Sequence, residues 1–128
     1  MKVGFGYDVH RLVRERKLIL GGVEIPFHLG LEGHSDADVL IHAIVDSILG
    51  ALGLGDIGRH FPDTDPVWKG VDSTCFLQAS KDLLQKHAYR IVNIDSTLLA
   101  TEPKITPFAS QITASIAKWL GIESSQVN

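Results

Sequence analysis

The segment from Val39 to Leu54 constrains the fold more than any other part of this 128-residue sequence. Its apolar residues recur at the three-and-four spacing of one broad helical face, and the glycines that follow Leu52 are suitable stops. Ser35, followed three residues later by Asp38, fits a helix start signal, so we expect the helix to begin at Ser35 with acidic residues in its first turn. The buried face would consist of Leu40, Ile41, Ile44, Val45, Ile48, Leu49 and Leu52.

Three polar residues recur at four-residue spacing along this helix, namely Asp38, His42 and Asp46. That spacing stacks an imidazole and two carboxylates along one stripe at the edge of the apolar face, so they can point together into a pocket. The stripe therefore predicts a metal or phosphate site. The structural alternative is that Asp36 and Asp38 only complement the helix dipole and that His42 is a hydrogen-bonded core histidine.

The first ten residues alternate in character, which predicts a strand from Val3 to His10. Asp8 and His10 would project side by side from one face, as two ligands of a divalent ion do. With His42 they would form a three-ligand site with an open position for substrate, whereas without it they are an exposed pair near a strand end. Gly4 and Gly6 share the face of Asp8 and His10, and Val3, Phe5, Tyr7 and Val9 form the other face.

Loops on both sides of the helix carry further polar candidates. His34 precedes the helix N-terminus, where backbone amides can seat a phosphate, although it is equally interpreted as an exposed loop histidine. Residues 55–70 are rich in Gly, Pro and Asp, which predicts a long ordered loop without regular elements. Its carboxylates at Asp56, Asp63 and Asp65 either accept hydrogen bonds from sugar hydroxyls, lie near a metal, or build turns.

The remaining patterns alternate between strands and helices, which predicts a single α/β domain of the α+β kind, with a small mixed sheet covered on one face by helices. The apolar Phe5, Tyr7 and Val9 would pack the other face against further subunits in a closed ring. The predicted elements are a hairpin of Leu18–Leu20 and Val23–Ile25, a helix from Asp72 and Ser73 to Lys86, a strand from Tyr89 to Ala100, a helix from Thr106 to Leu120, and a strand after Ser124.

Composition excludes several classes of protein. A net charge of -3, a pI near 6.0 and the lack of a basic run argue against nucleic-acid binding. The most apolar segment is interrupted by His42 and Asp46, which argues against a membrane span, and the first residues do not resemble an export signal. The single Cys75 rules out an internal disulfide and is predicted to be a buried thiol, so we expect a cytoplasmic protein.

Several motifs occur together in the order and spacing of one known family. They are Gly-Tyr-Asp-Val-His at 6–10, Gly-His-Ser-Asp-Ala-Asp-Val at 33–39, His42, Gly-Asp-Ile-Gly at 55–58, Phe-Pro-Asp-Thr-Asp-Pro at 61–66, Lys-Gly at 69–70 and Pro-Lys at 103–104. By these motifs the chain resembles the 2-C-methyl-D-erythritol 2,4-cyclodiphosphate synthases over essentially all of residues 1–128. Such a resemblance is specific because several spaced motifs must coincide.

The resemblance implies an enzyme of bacterial isoprenoid and terpenoid biosynthesis by the non-mevalonate pathway. The reaction would convert 4-diphosphocytidyl-2-C-methyl-D-erythritol 2-phosphate into the 2,4-cyclodiphosphate with release of CMP, which is a metal-dependent phosphorus-oxygen lyase reaction. Asp8, His10 and His42 match zinc ligands of the family, and Mg²⁺ or Mn²⁺ would accompany the substrate phosphates. His34 matches the catalytic residue that stabilises the transition state, and Ser35 matches a phosphate contact.

The same resemblance implies a homotrimer in which neighbouring subunits share each active site and enclose a channel for a prenyl diphosphate. Asp46 would support the metal ligands without contacting the ion. The residues that match substrate contacts are Asp8, Val9, His10, His34, Ser35, Asp56, Ile57, Gly58, Phe61, Pro62, Asp63, Thr64 and Asp65, together with a cytidine pocket formed by Ala100, Thr101, Glu102, Pro103, Lys104, Ile105 and Thr106 of the neighbouring subunit.

Family members continue beyond the position of Asn128 with a strand bearing Lys-Ala-Thr-Thr-x-Glu and a Gly-Arg-Gly-Glu segment. We therefore expect residues 1–128 to be one cyclodiphosphate synthase domain without that C-terminal strand. Two alternatives remain open on the sequence. One is a zinc-binding, catalytically impaired module for isoprenoid diphosphates, and the other is a metal-dependent phosphohydrolase in which the three ligands activate water.

Overall fold

Helices supply most of the core in the computed structural model of the protein, which describes residues 1–128. The longest is α1, and it packs against α3, which in turn packs against α4. None of the helices is long and apolar enough to cross a membrane. The helices are α1, Val39–Leu52; α2, Ile57–His60; α3, Thr74–Lys86; and α4, Ala109–Leu120, with short 3₁₀ turns at Pro66–Trp68, Thr106–Phe108 and Ser124–Gln126.

Helix α1 has the predicted buried face and ends as predicted, because Gly53 adopts the left-handed conformation (φ 71°) that closes a helix. Its predicted beginning is wrong. Asp38 is the N-cap and not a first-turn residue, and its carboxylate accepts a hydrogen bond from the amide of Ile41 at 3.1 Å. The chain turns before that point, where the Ser35 hydroxyl accepts from the amide of Ala37 at 3.1 Å.

The predicted hairpin is confirmed, with β2 (Leu18–Leu20) antiparallel to β3 (Val23–Ile25). Its two-residue turn needs positive φ at both positions, and Gly21 and Gly22 supply φ values of 60° and 77°. The amides of the two glycines donate to the Asp38 carboxylate at 3.0 and 2.7 Å. Asp38 therefore ties the hairpin to the start of α1.

Sheet structure is less extensive than the predicted mixed sheet. Strands β1 (Leu12–Val13) and β4 (Gly30–Leu31) form a second antiparallel pair in segments for which the sequence predicts no strand. The predicted strand from Tyr89 to Ala100 is reduced to one parallel bridge between Ile94 and Val127. A strand requires a partner along its length, and only the backbone of residues 126–128 lies beside this segment. The apolar side chain of Leu99, within this segment, is exposed.

The segment from Val3 to His10 belongs to no hydrogen-bonded ladder, but its alternation of faces is as predicted. Its inner face lies directly on the backbone of α1. A Cβ atom added at Gly4 would be 1.9 Å from the carbonyl oxygen of Ser47, and one added at Gly6 would be 1.8 Å from that of Ala43. The two glycines thus permit a close approach that no other residue allows. This approach carries Asp8 and His10 to α1.

The two later helices agree with the sequence predictions. Helix α4 follows a short 3₁₀ turn and ends at Gly121, which has a φ of 69°. Helix α3 runs to Lys86, and of its two predicted cap residues only Asp72 makes a side-chain cap, because its carboxylate accepts from the amide and hydroxyl of Thr74 at 3.0 and 2.8 Å. The Ser73 side chain makes no cap hydrogen bond and points elsewhere. Cys75, predicted as buried, is half-buried, and burial raises the pKa of its thiol.

Candidate metal centre and adjoining cleft

Asp8, His10 and His42 meet where the N-terminal segment crosses α1. Oδ2 of Asp8 lies 2.8 Å from Nε2 of His10 and 3.2 Å from Nδ1 of His42. One possible ligand atom from each residue lies within 4.8 Å of the others. The predicted cluster is confirmed, because residues 34 positions apart in the chain converge on one point. One carboxylate and two imidazoles are a donor set that suits a divalent ion such as zinc and leaves a coordination position open.

Each imidazole has a polar neighbour at its second nitrogen. Nδ1 of His10 donates to the carbonyl oxygen of Glu32 at 2.6 Å, so Nε2, the nitrogen that faces Asp8, is the one left for a metal ion. Nε2 of His42 lies 3.0 Å from the hydroxyl of Ser73, and its Nδ1 faces Asp8. Partners of this kind fix the ring orientation of metal-binding histidines. A metal held here would therefore be bound by Nε2 of His10 and Nδ1 of His42.

The charges within the cluster favour an ionised Asp8. Burial raises the pKa of Asp8, but hydrogen bonds from His10 and His42 and their charges outweigh it and hold the pKa well below its usual range. The hydrogen bond to Asp8 raises the pKa of His10, and burial opposes it. Asp8 is therefore available as an anionic ligand at neutral pH.

The predicted stripe of Asp38, His42 and Asp46 is wrong in two of its three members. Asp38 is fully buried against the hairpin turn, as described above. Asp46 accepts a hydrogen bond from the amide of Ile57 at 2.7 Å, and burial raises its pKa. Asp46 makes no hydrogen bond to a residue of the cluster. It instead anchors α2 to α1, and of the three residues only His42 belongs to the cluster with Asp8 and His10.

A cleft of about 330 Å³ opens beside His10 and His42. Aromatic rings form part of its wall, since Phe61 packs on Phe76 at a centroid distance of 4.5 Å and on Trp68 at 5.2 Å. The cleft brings together many of the residues that the sequence singled out. Those lining it are His10, His34, Ser35, His42, Ile57, Gly58, Phe61 and Asp63, with Gly33, Trp68 and Phe76 in addition.

Residues 55–70 are more regular than predicted, because they contain α2 and the 3₁₀ turn Pro66–Trp68. Two of the three candidate carboxylates serve these elements. Asp56 accepts from the amide of Arg59 at 2.9 Å, and Asp65 accepts from that of Val67 at 3.0 Å. Asp63 is the one aspartate of this segment that lines the cleft. Pro62 and Thr64 belong to the same loop but do not line the cleft.

His34 and Ser35 are held at the cleft by partners on both sides. Nε2 of His34 donates to the carbonyl oxygen of Asp65 at 3.2 Å. The guanidinium of Arg16 donates to the carbonyl oxygens of Gly33 at 3.0 Å and Ser35 at 2.7 Å. These contacts fix the backbone on both sides of His34 and aim its side chain at the cleft wall.

A second and more apolar cavity, of about 480 Å³, lies on the other side of Asp8 and His10. His10 lines both cavities, so the candidate metal centre stands between them. Within the predicted cytidine pocket, the exposed Lys104 and Thr106 do not line the cavity. The members that do are Ala100, Thr101, Glu102, Pro103 and Ile105, and they face Asp8 and Val9 of the same chain.

Sequence reasoning missed several residues that build the site. Arg16 carried no prediction of function, and Ser73 was predicted only as part of a helix start. Phe76 fits the apolar face of α3, and Trp68 lies in the long loop, so neither had a signal beyond apolarity. Asp36 did carry a signal, as an acidic residue before a helix, but the signal indicated a dipole role and not its contact with Ser73.

The fold and the site define a small α+β protein with a candidate metal centre of one carboxylate and two imidazoles between two clefts. A family model described as the YgbB family matches residues 1–128, and the chain belongs to that family. Two relatives, both named 2-C-methyl-D-erythritol 2,4-cyclodiphosphate synthase, are similar over almost the whole chain. The protein of Desulfatibacillum aliphaticivorans is 57% identical over 128 residues, covering 100% of this chain and 83% of the relative. The protein of Dechloromonas aromatica is 59% identical over 127 residues, covering 99% of this chain and 79% of the relative.

Solved structures give the same result. A 2C-methyl-D-erythritol-2,4-cyclodiphosphate synthase in a CDP-bound form superposes with a TM-score of 0.87 at 34% identity, covering 98% of this chain and 84% of that chain. A CDP complex of the Plasmodium falciparum protein superposes with a TM-score of 0.80 at 38% identity, covering 99% of this chain and 78% of that chain. The resemblance stated from the sequence motifs is therefore confirmed by sequence and by fold.

Proposed function

We propose that this chain converts 4-diphosphocytidyl-2-C-methyl-D-erythritol 2-phosphate into 2-C-methyl-D-erythritol 2,4-cyclodiphosphate and CMP, in the non-mevalonate pathway to isoprenoid precursors. The observation that carries the proposal is the convergence of Asp8, His10 and His42 beside a cleft lined by His34 and Ser35. Relatives with more than half of their residues identical bear the name of this synthase.

The three cluster residues would hold Zn²⁺, which fits their donor set. When bound, the ion would supply a Lewis acid for the substrate diphosphate. His34 and Ser35 lie on the cleft wall next to the centre, where the imidazole and the hydroxyl can contact phosphate oxygens. Arg16 keeps both residues in place through two backbone carbonyls. His34 would thus stabilise the charge that develops during the reaction.

The reaction needs positioning more than a strong base. An oxygen of the substrate 2-phosphate attacks the β-phosphorus, a new phosphorus-oxygen bond forms, and the bond from the β-phosphorus to the oxygen of CMP breaks. Water competes with the 2-phosphate for the same phosphorus. The packed rings of Phe61, Trp68 and Phe76 make one wall of the cleft apolar, which favours the exclusion of water around the methylerythritol carbons.

The segment from Ala100 to Thr106 would bind the cytidine of the substrate, in the site of a neighbouring subunit of a homotrimer. Supporting this, two similar proteins have been solved with CDP. The apolar stripe of Val3, Phe5, Tyr7 and Val9 is 71–87% exposed, which suits burial between copies of the chain. A channel lined by such residues is also suited to a prenyl diphosphate. A Mg²⁺ or Mn²⁺ ion would accompany the substrate phosphates.

The proposal is tested by incubating the protein with the diphosphocytidyl substrate, zinc and magnesium, and measuring CMP by chromatography. We expect CMP and the cyclic diphosphate in equal amounts, and we expect a chelator to stop the release. Release of CMP that continues in full after the protein has been stripped of metal would contradict the assigned role of the cluster. Substrate that remains intact with zinc bound would contradict the proposed reaction.

A further inference from the structure

The hydroxyl of Ser73 contacts His42 on the side opposite the candidate metal centre. Nε2 of His42 lies 3.0 Å from Oγ of Ser73, whereas Nδ1 of the same ring faces Oδ2 of Asp8 at 3.2 Å. Ser73 is fully buried and does not line the 330 Å³ cleft. It therefore has no route to a substrate in the cleft, and any effect of Ser73 on the site passes through His42.

A hydroxyl both donates and accepts, so Ser73 alone does not decide which nitrogen of His42 carries the proton. Asp36 decides it. One oxygen of its carboxylate accepts a very short hydrogen bond from the Ser73 hydroxyl, and the other accepts from the Ser73 amide at 3.0 Å. Because a carboxylate only accepts, the hydroxyl proton of Ser73 points to Asp36, and an oxygen lone pair remains for Nε2 of His42.

A second hydroxyl near His42 belongs to Ser35, but it lies farther from the imidazole than the hydroxyl of Ser73 does. Oγ of Ser35 is 3.3 Å from Nε2 of His42, and it already accepts the amide of Ala37 at 3.1 Å. Ser35 also lines the cleft, where its proton is available to a ligand. Ser73 is thus the nearer and better oriented acceptor for His42, and the two serines have different tasks.

We propose that Asp36 and Ser73 are positioning residues that hold the proton of His42 on Nε2 and so direct its Nδ1 lone pair to a divalent ion. The inference rests on the metal site of the proposed function. It gives His42 the same kind of support that the carbonyl oxygen of Glu32 gives His10 at Nδ1. Outer partners of this kind change metal affinity about 10- to 100-fold when they are removed.

The zinc dissociation constant of Ser73→Ala, measured by competition with a chromophoric chelator, tests the proposal. A matched control is Ser80→Ala, because Ser80 is equally buried, lies on α3 just after Ser73, and donates its hydroxyl to the carbonyl oxygen of Phe76 at 2.8 Å. We expect Ser73→Ala to weaken zinc binding about 10- to 100-fold and Ser80→Ala to change it less than about twofold. Equal zinc affinities of Ser73→Ala, Ser80→Ala and the unmutated protein would overturn the proposal.

A measurement on the unmutated protein decides the question even if Ser73→Ala does not fold. Nitrogen-15 NMR of the zinc-loaded protein reports which imidazole nitrogen of His42 carries a proton. We expect the proton on Nε2, with exchange into water slowed by the hydrogen bond to Ser73. A proton on Nδ1 would overturn the proposal while leaving zinc binding and the proposed reaction intact. An unmutated protein that binds no zinc would contradict the metal site itself, and the inference with it.

Discussion

Gly6 and Ala43 are so close that a Cβ atom on Gly6 would lie 1.8 Å from the carbonyl oxygen of Ala43. This contact holds the N-terminal segment on the backbone of α1, two residues before Asp8. The carbonyl belongs to a helix and has no freedom to move aside. The assembly of the candidate metal centre therefore depends on the absence of a side chain at position 6.

The substitution Gly6→Ala should separate Asp8 and His10 from His42 and weaken zinc binding by at least about tenfold, with helix content unchanged in circular dichroism. The measurement is zinc affinity by chelator competition. Gly50→Ala is the control, because the nearest atom to its added Cβ is 4.0 Å away and a glycine inside a helix costs about 0.5–1 kcal/mol relative to alanine. That variant should bind zinc normally and unfold at a higher temperature. Normal zinc binding by Gly6→Ala would refute the packing argument.

His42→Ala should remove stoichiometric zinc, because it leaves two ligands on the N-terminal segment and none on α1. Metal content by mass spectrometry after dialysis checks this directly. His60→Ala serves as the control, since the imidazole of His60 contacts the carbonyl oxygen of Leu54 at 2.9 Å and lies outside the cluster. Unchanged zinc content in His42→Ala would disprove the ligand assignment.

The stability of the fold should depend on pH through Asp38. Burial raises the pKa of Asp38 from 3.8 to about 6, although backbone hydrogen bonds from Gly22, Ile41 and Gly21 oppose the shift. The folded state then binds the proton more tightly than the unfolded state. The stability contributed by that proton is fully present below pH 3.8 and is lost as the pH rises to about 6.

The comparison for this prediction is Asp38→Asn, which has no titrating group at the position. Across that window the free energy of unfolding of the unmutated protein should fall relative to the variant, by up to about 3 kcal/mol at about 1.4 kcal/mol per pKa unit. Urea unfolding at several pH values provides the numbers. If the free energy of unfolding of the unmutated protein instead rises relative to that of the variant, the three amide donors outweigh burial and hold the pKa of Asp38 low.

Arg16→Met should impair the proposed phosphate site at His34 and Ser35 without affecting zinc binding at the candidate metal centre. It removes two charged hydrogen bonds, to the carbonyl oxygens of Gly33 and Ser35, that fix the backbone around His34. We expect kcat/KM to fall about tenfold or more, which corresponds to about 1.4 kcal/mol, and zinc affinity to stay normal. Arg14→Met is the matched control, because Arg14 is exposed in the same segment. Identical kinetics of both variants would contradict the role given to Arg16.

The candidate metal ligands Asp8, His10 and His42 were predictable because each lies on a segment whose side chains alternate or recur with a clear period. Alternation placed Asp8 and His10 on one face, and the helical pattern fixed the face of His42. The same reasoning failed for Asp38 and Asp46, because spacing along a helix gives direction only and not the partner that a carboxylate finds. Asp38 binds the amides of a hairpin 16 and 17 residues earlier in the chain.

Strand pairing and support of the ligands depend on contacts between distant residues, which a single sequence does not encode locally. The pairing of Leu12 with Leu31 and the reduction of the Tyr89–Ala100 segment to a bridge at Ile94 are both of this kind. Ser73 had a strong local signal as a helix cap. The signal was misleading because Asp72 performs that task and leaves Ser73 free for His42.

The proposed function requires that the cluster of Asp8, His10 and His42 and the adjoining cleft direct the substrate 2-phosphate, and not water, to the β-phosphorus. The most direct test is to run the reaction in water enriched in oxygen-18 and to analyse the products by phosphorus-31 NMR and mass spectrometry. We expect CMP and a cyclic diphosphate, neither of which carries oxygen-18 from the solvent. Labelled linear phosphate or diphosphate products would show a hydrolase and contradict the account.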